Sequence, residues 1–259
     1  MTEILALHAF DDNYIWLLRA GGHVAVVDPG DAVPVLGYLA KTGDRLCAIL
    51  VTHHHGDHIG GIAELVARCP VPVFGPAAEN IPGVTHPLAD GERIELPQIG
   101  SKFEVIAVPG HTRGHIAYYG PSLGDDGALF CGDTLFGAGC GRLFEGTPAQ
   151  MHDSLAKLAA LPAPTFVYCA HEYTQSNLRF AAAVEPGSIT VQRRSENVAA
   201  DRAAGRATIP TRIGIELETN PFLRWDAPAV RAAAASRLGR APANAVETFA
   251  AIREWKNRF

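Results

Sequence analysis

Four of the chain's eleven histidines and one aspartate fall between Thr52 and His58, in the stretch THHHGDHIGG. Imidazole is costly to bury without a partner and is the side chain that most often holds transition metals, so this crowding points to metal chemistry. In an extended segment residues two apart point the same way, which lets His53 and His55 share one ion while His54 faces elsewhere. Asp57 and His58 then lie on a tight turn into the next helix, with Gly56 easing the bend, in reach of a second ion. A random H-x-H-x-D-H is expected about once per thousand chains of this kind. A surface histidine tract accounts for neither the strand before the motif nor the helix after it.

The residues that close the other apolar runs extend the pattern. LCAILVT leads into His53 and His55, FEVIAVPG into His111, GALFCG into Asp133 and TFVYCA into His171. Strands sharing one sheet edge would gather these side chains in a single cleft at their C-terminal ends, where α/β folds bind ligands. The set is then His53, His55, Asp57, His58, His111, Asp133 and His171. A closed tetrahedral zinc uses four donors; seven suit two ions about 3.5 to 4 Å apart that share a carboxylate and a bridging water. His8, His23, His86 and His152 read as surface or satisfied residues, whereas His54 and His115 lie near enough to orient ligands.

These residues need a frame to position them. Short apolar runs (HVAVVDPG, LCAILVTH, FEVIAVPGH, GALFCGD, TFVYCAH) alternate with helical stretches such as IGGIAELVARC and PAQMHDSLAKLAA, the signature of an α/β (α+β) fold. From about Tyr173 the texture becomes helical, through SITVQRRSENVAADRAAG to APANAVETFAAIREWKNRF. The expected units are an α/β domain over 1–173 and a small helical domain over 174–259.

With 259 residues and 47% hydrophobic content the chain can bury a large core, and a formal charge of -5 disfavours a general grip on nucleic acid or anionic membrane. No run of about 18 apolar residues marks a membrane span and the N-terminus lacks a signal peptide's features, so a cytoplasmic protein is expected. Five cysteines without a CxxC pair read as reduced, structural thiols.

THHHGDHIGG, PGHTRGH, FCGDTLF and His171 resemble the metallo-β-lactamase superfamily. DNYIWLL, GAGCGRLFEGT, AHEYT, TNPFLR and REWKNRF narrow the resemblance, over essentially the whole chain, to its glyoxalase II (hydroxyacylglutathione hydrolase) family. That resemblance implies a four-layer αββα sandwich followed by a small helical domain, and hydrolysis of S-D-lactoylglutathione to D-lactate and glutathione in methylglyoxal detoxification. It implies that His53, His55 and His111 hold one metal, that Asp57, His58 and His171 hold the other, and that Asp133 bridges them. The ions are expected to be zinc, with iron and manganese as the other metals associated with the family. It also assigns Arg142, Phe144, Tyr173, Arg253 and Lys256 to glutathione, with Phe144 standing where some members have Tyr. Bland alternatives are a solvated helix end for Arg253 and Lys256 and plain packing for Tyr173.

Two divalent ions, the carboxylates of Asp57 and Asp133 and a bridging hydroxide leave a net charge of about +1, suited to a developing oxyanion. The hydroxide would attack the thioester carbonyl, and a thiol of pKa near 8.5 leaves as thiolate without a strong general acid. The expected partner is a small glutathione thioester, with no nucleic acid or membrane, acted on by a monomer. The main rival is a mononuclear-iron glutathione persulfide dioxygenase of the same superfamily. A superfamily nuclease and a non-enzymatic metal-stabilised protein are weaker rivals.

Overall fold

The computed structural model describes residues 2–259, and in them the apolar runs form two six-stranded sheets packed face to face. The first sheet holds β1 (Glu3–Ala9), β2 (Asn13–Ala20), β3 (His23–Val27), β4 (Arg45–Leu50), β5 (Val73–Pro76) and β6 (His86–Leu88) in chain order. β1 to β3 are antiparallel and β3 to β6 parallel. The crossover after β3 carries α1 (Ala32–Thr42), and that after β4 carries α2 (Gly56–Ile59) and α3 (Ile62–Arg68).

In the second sheet, β7 (Arg93–Leu96), β8 (Ser101–Ala107), β9 (Ile116–Gly120) and β10 (Ala128–Gly132) form an antiparallel meander. A small hairpin, β11 (Leu135–Phe136) and β12 (Gly139–Cys140), follows in the chain, then α4 (Pro148–Ala159). β13 (Phe166–Cys169) returns parallel to β10, so β8, β10 and β13 all point the same way. The rest of the chain is α5 (Thr174–Val184), α6 (Ile189–Ala203), β14 (Thr211–Arg212), α7 (Ile213–Thr219), α8 (Pro228–Leu238) and α9 (Ala245–Asn257). β14 adds an antiparallel edge to β13, which ties this mainly helical segment to the second sheet.

Burial explains why β2 reads as an unbroken apolar run. Ile15 and Leu17 face the layer of α1 and α3, whereas Tyr14, Trp16 and Leu18 face the second sheet, so both faces of the strand are covered. Trp16 packs edge-on to Tyr168 at 4.9 Å and donates its indole N–H to Cys169 O (3.0 Å), tying the layers together. α4 starts with a Thr147/Gln150 capping box and Pro148, and buries Met151, Leu155 and Leu158 against the outer face of the second sheet. Phe180, Phe222, Phe249 and Ile252 of the C-terminal segment belong to the same continuous core as Phe130 of β10. All five cysteines are free, four of them buried.

Candidate metal centre

The C-terminal ends of β4, β8, β10 and β13 deliver their closing residues to one edge of the sandwich. His53 Nε2 and His111 Nε2 both converge on His55 Nδ1, at 3.1 and 3.0 Å. His58 Nε2 lies 3.5 Å from Asp57 Oδ2, and His171 Nε2 is also 3.5 Å from that oxygen. The Asp133 carboxylate reaches both groups: Oδ1 is 3.4 Å from His58 Nε2 and 3.3 Å from His171 Nε2, and Oδ2 is 3.3 Å from His111 Nε2. The seven side chains singled out by motif thus lie together. His54 points away, as the two-residue alternation requires.

In four of the five imidazoles the inward nitrogen is aimed by a bond to the other ring nitrogen. His53 Nδ1 meets Thr52 Oγ1 (3.1 Å), His58 Nδ1 meets Asp28 Oδ2 (3.0 Å), His111 Nδ1 meets Arg142 O (2.8 Å) and His171 Nδ1 meets Asp12 Oδ1 (2.8 Å). Asn13 Nδ2 donates to Asp57 Oδ2 (3.0 Å). Such outer partners fix tautomer and ring direction, and here they leave lone pairs facing a common space. His58 Nε2 and Asp133 Oδ1 are buried with no hydrogen-bond partner, which a cation between them would satisfy. Mixed imidazole and carboxylate donors suit a divalent ion.

The electrostatics agree with a cation there. Burial and the other imidazoles hold His53 well below the ordinary histidine value; burial does the same, less strongly, to His55 and His111, so all three stay neutral and able to ligate. At His58 burial acts downward, but the carboxylates of Asp133 and Asp28 outweigh it and push the ring up to about 9. His171 is likewise raised against burial, by Asp133 and Asp12. Burial would raise Asp133, yet His58 and His171 hold it far below the usual carboxylate range. Both upward shifts mark carboxylate charge beside His58 and His171 that a divalent ion would balance.

Two glycines determine how tightly this edge closes. Gly132, just before Asp133, has φ +47°, and a Cβ there would strike Thr52 Oγ1 and the His115 ring. The bend at Gly56 is different from the sequence expectation: Asp57 and His58 sit within α2 itself, and Gly56 has open space and no positive φ. The constraint falls instead on Gly30, where a Cβ would collide with Asp57 O, because α2 is laid directly against the loop after β3.

Of the residues assigned to glutathione, Arg142, Phe144 and Tyr173 border this edge. Phe144, 60% exposed, stands edge-on to His55 (5.6 Å) and His111 (5.2 Å), with the Arg142 guanidinium 5.9 Å from its ring. Tyr173 stacks on His171 at 4.8 Å, and burial with nearby carboxylates keeps its phenol protonated. Arg253 is not on a solvated helix end: it is 7% exposed, donates from Nη1 to Cys140 O (2.9 Å), and its Nε is buried without a partner. Lys256 lies half-buried near it, its Nζ 5.1 Å from the Phe180 ring.

Sequence reasoning missed Asp12, Asn13 and Asp28 as partners of the centre. Asp28 could have been found, since it closes the apolar run HVAVV just as Asp133 closes ALFCG. Asp12 ends the turn between β1 and β2 and Asn13 opens β2, positions where Asp and Asn also serve as ordinary turn-flanking residues. His115 stacks on His53 (4.5 Å) and its Nε2 accepts the Asp133 N–H (3.1 Å), so it orients a backbone beside the centre. His152 departs from the expectation of a satisfied surface residue: it packs on Trp225 (4.3 Å) and its buried Nε2 has no partner.

Residues 9–171 match the metallo-beta-lactamase superfamily, and residues 172–259 match the family described as hydroxyacylglutathione hydrolase C-terminus. The chain is 55% identical to a hydroxyacylglutathione hydrolase of Pseudomonas aeruginosa (strain LESB58), with 100% of both chains covered. Among solved structures it is similar to ETHE1 from Myxococcus xanthus (25% identity, TM-score 0.66, 99% of this chain and 91% of that one). It is also similar to TTHA1623 in a di-iron-bound form (28% identity, TM-score 0.59, 85% of this chain and 100% of that one).

Proposed function

The chain belongs to the hydroxyacylglutathione hydrolase family of the metallo-beta-lactamase superfamily, and from that membership we propose that it hydrolyses S-D-lactoylglutathione and related S-(2-hydroxyacyl)glutathiones to the 2-hydroxy acid and glutathione. The observation that carries the reading is Asp133, one carboxylate within 3.4 Å of imidazoles from both donor groups. The enzyme binds divalent metal. In the finer reading two zinc ions would be held, one by His53, His55 and His111 and the other by Asp57, His58 and His171, with the Asp133 carboxylate in reach of both sets. When bound, such ions supply a water acidified toward neutral pH and charge for a developing oxyanion.

The chain's own residues do the rest. Asp12, Asn13, Asp28 and Thr52 hold the donors in direction, so little reorganisation is left for the reaction. The Asp57 side chain, 40% exposed, marks the open side through which a thioester enters. Arg142, Phe144 and Tyr173 border the centre, and Arg253 and Lys256 of α9 provide cations for the carboxylates of glutathione. The leaving thiolate is stable enough to depart without a side-chain acid. The division into a catalytic unit over 1–173 and a substrate-binding unit over 174–259 belongs to this reading, as do a monomeric working unit, a cytoplasmic site of action and a free small-molecule substrate. It is supported by the run of helices that begins at Thr174. A mononuclear-iron dioxygenase is disfavoured because it would leave one buried donor group without a cation.

The test compares S-D-lactoylglutathione with lactate esterified to a thiol lacking glutathione's carboxylates, following loss of thioester absorbance. The expected kcat/KM ratio favours glutathione by at least about tenfold. Oxygen uptake with glutathione persulfide, and no thioester cleavage, would overturn the reading in favour of the dioxygenase.

A second expectation concerns pH. Burial and the guanidinium groups of Arg253 and Arg179 push Lys256 down to about 8. Its ammonium is complete below that value and is lost as pH rises through it. The KM for the glutathione thioester should therefore climb above pH 8 while kcat stays level. Lys256→Arg, which keeps its charge, should flatten the climb; an identical pH profile in that variant would exclude Lys256 as the cause.

A further inference from the structure

Glu79 takes no part in the chemistry above, yet its side chain is only 4% exposed and its carboxylate joins two separate walls of the centre. Oε2 accepts from His54 Nδ1 (2.9 Å), between the donors His53 and His55. Oε1 accepts from Gly114 N (3.1 Å) and from Thr112 Oγ1, on the loop of His111. Glu79 itself follows β5, a segment that contributes no metal donor. The opposite side of His54 is closed in the same way: its Nε2 lies 3.2 Å from Glu145 Oε1, and Glu145 Oε2 accepts from Arg113 N (3.0 Å). A Cβ at Gly114 would collide with Glu79 Cγ, so the His111 loop lies directly on this side chain.

We infer that Glu79 is a positioning residue for the His53, His55 and His111 group, setting the separation of the two loops that carry it. The inference rests on the two-ion reading above. These three imidazoles come from two loops and must hold the inward nitrogens of His53 and His111 within 3.1 Å of that of His55. A buried carboxylate that accepts from both loops converts their separation from a soft variable into a fixed one. The other group is anchored elsewhere, by Asn13 on Asp57, Asp28 on His58 and Asp12 on His171. Loss of Glu79 should therefore weaken one ion and spare the other, which general loosening of the fold would not do.

The test is zinc titration of metal-free protein against a chromophoric chelator, with thermal unfolding of the metal-free form as control. Wild type should bind two ions; a single ion would overturn the two-ion reading and leave Glu79 without its role. Given two ions, Glu79→Ala should weaken one by about 10- to 100-fold, the usual effect of losing a ligand-orienting partner, and leave the other within about threefold. Glu79→Gln should restore most of the affinity, because its amide oxygen still accepts from the His111 loop and its amide N–H can face His54 once the His54 proton moves to the Glu145 side. Should Glu79→Ala not fold, Thr112→Val removes one donor from the same carboxylate and should weaken the same ion by about three- to tenfold. Equal weakening of both ions, or unchanged affinities beside a lowered metal-free melting temperature, would overturn the inference and leave the two-ion reading standing.

Discussion

Asp133→Ala is expected to lower kcat/KM for S-D-lactoylglutathione by at least about a thousandfold, roughly 4 kcal/mol of transition-state stabilisation, and to reduce the zinc content of the purified protein. Asp133 is the carboxylate that reaches donors of both groups, and its main-chain N–H is fixed by His115 Nε2 at 3.1 Å. Truncation removes negative charge from a buried place where it raises the pKa of both His58 and His171 against burial. Those imidazoles would then face each other without a counter-charge, which disfavours both the protonated rings and a cation in their place. Asp133→Asn separates shape from charge: it keeps the side-chain volume and should still lose most activity. Activity within tenfold of wild type in both variants, with full zinc content, would sink the bridging role.

Glu216→Ala should produce the largest loss of stability. The Glu216 side chain is fully buried and accepts four bonds, from Arg194 Nη2 (2.5 Å), Thr211 Oγ1 (2.8 Å), Ala138 N (2.7 Å) and Asn220 Nδ2 (3.0 Å). Removing it leaves the Arg194 guanidinium without a counter-charge, though still bonded to Thr219 and Thr211, and the Ala138 N–H buried without a partner, at a cost of about 3 to 5 kcal/mol. For a chain of this size that corresponds to a fall of roughly 6 to 20 °C in Tm, read by circular dichroism on the zinc-loaded protein. Ala138 sits at φ +54°, in the turn of the β11 and β12 hairpin, so Glu216 also stabilises a conformation that a non-glycine residue adopts reluctantly. Because Arg142 and Phe144 follow that hairpin, KM should rise as well. A Tm change under 2 °C would mean the network contributes little.

The two expectations differ in how far the primary structure foretells them. Asp133 stands out because it closes an apolar run, and strand ends are where α/β folds collect function. Glu216 stands inside the unremarkable stretch IGIELET, and nothing local marks it as the hub of a buried network. Its partners lie up to 78 positions away along the chain. The contrast recurs around the centre: the divergence of His54 from His53 and His55 follows from backbone geometry within three residues, whereas the bonds of His54 to Glu79 and Glu145 depend on how three loops pack.

The order of residues was enough to mark which residue types cluster, which of them share a side, and that alternating strands and helices would give way to a helical segment, because spacing and alternation are governed by short-range backbone geometry; the two packed layers came only from the family resemblance. It took the packed fold to establish that Gly30 rather than Gly56 must lack a side chain, that Arg253 is sheltered rather than solvated, and that Asp12, Asn13 and Asp28 bond the donors while Glu79 joins the loops that carry them. Those outcomes depend on strand register and loop packing between residues distant in the chain, which no local pattern encodes.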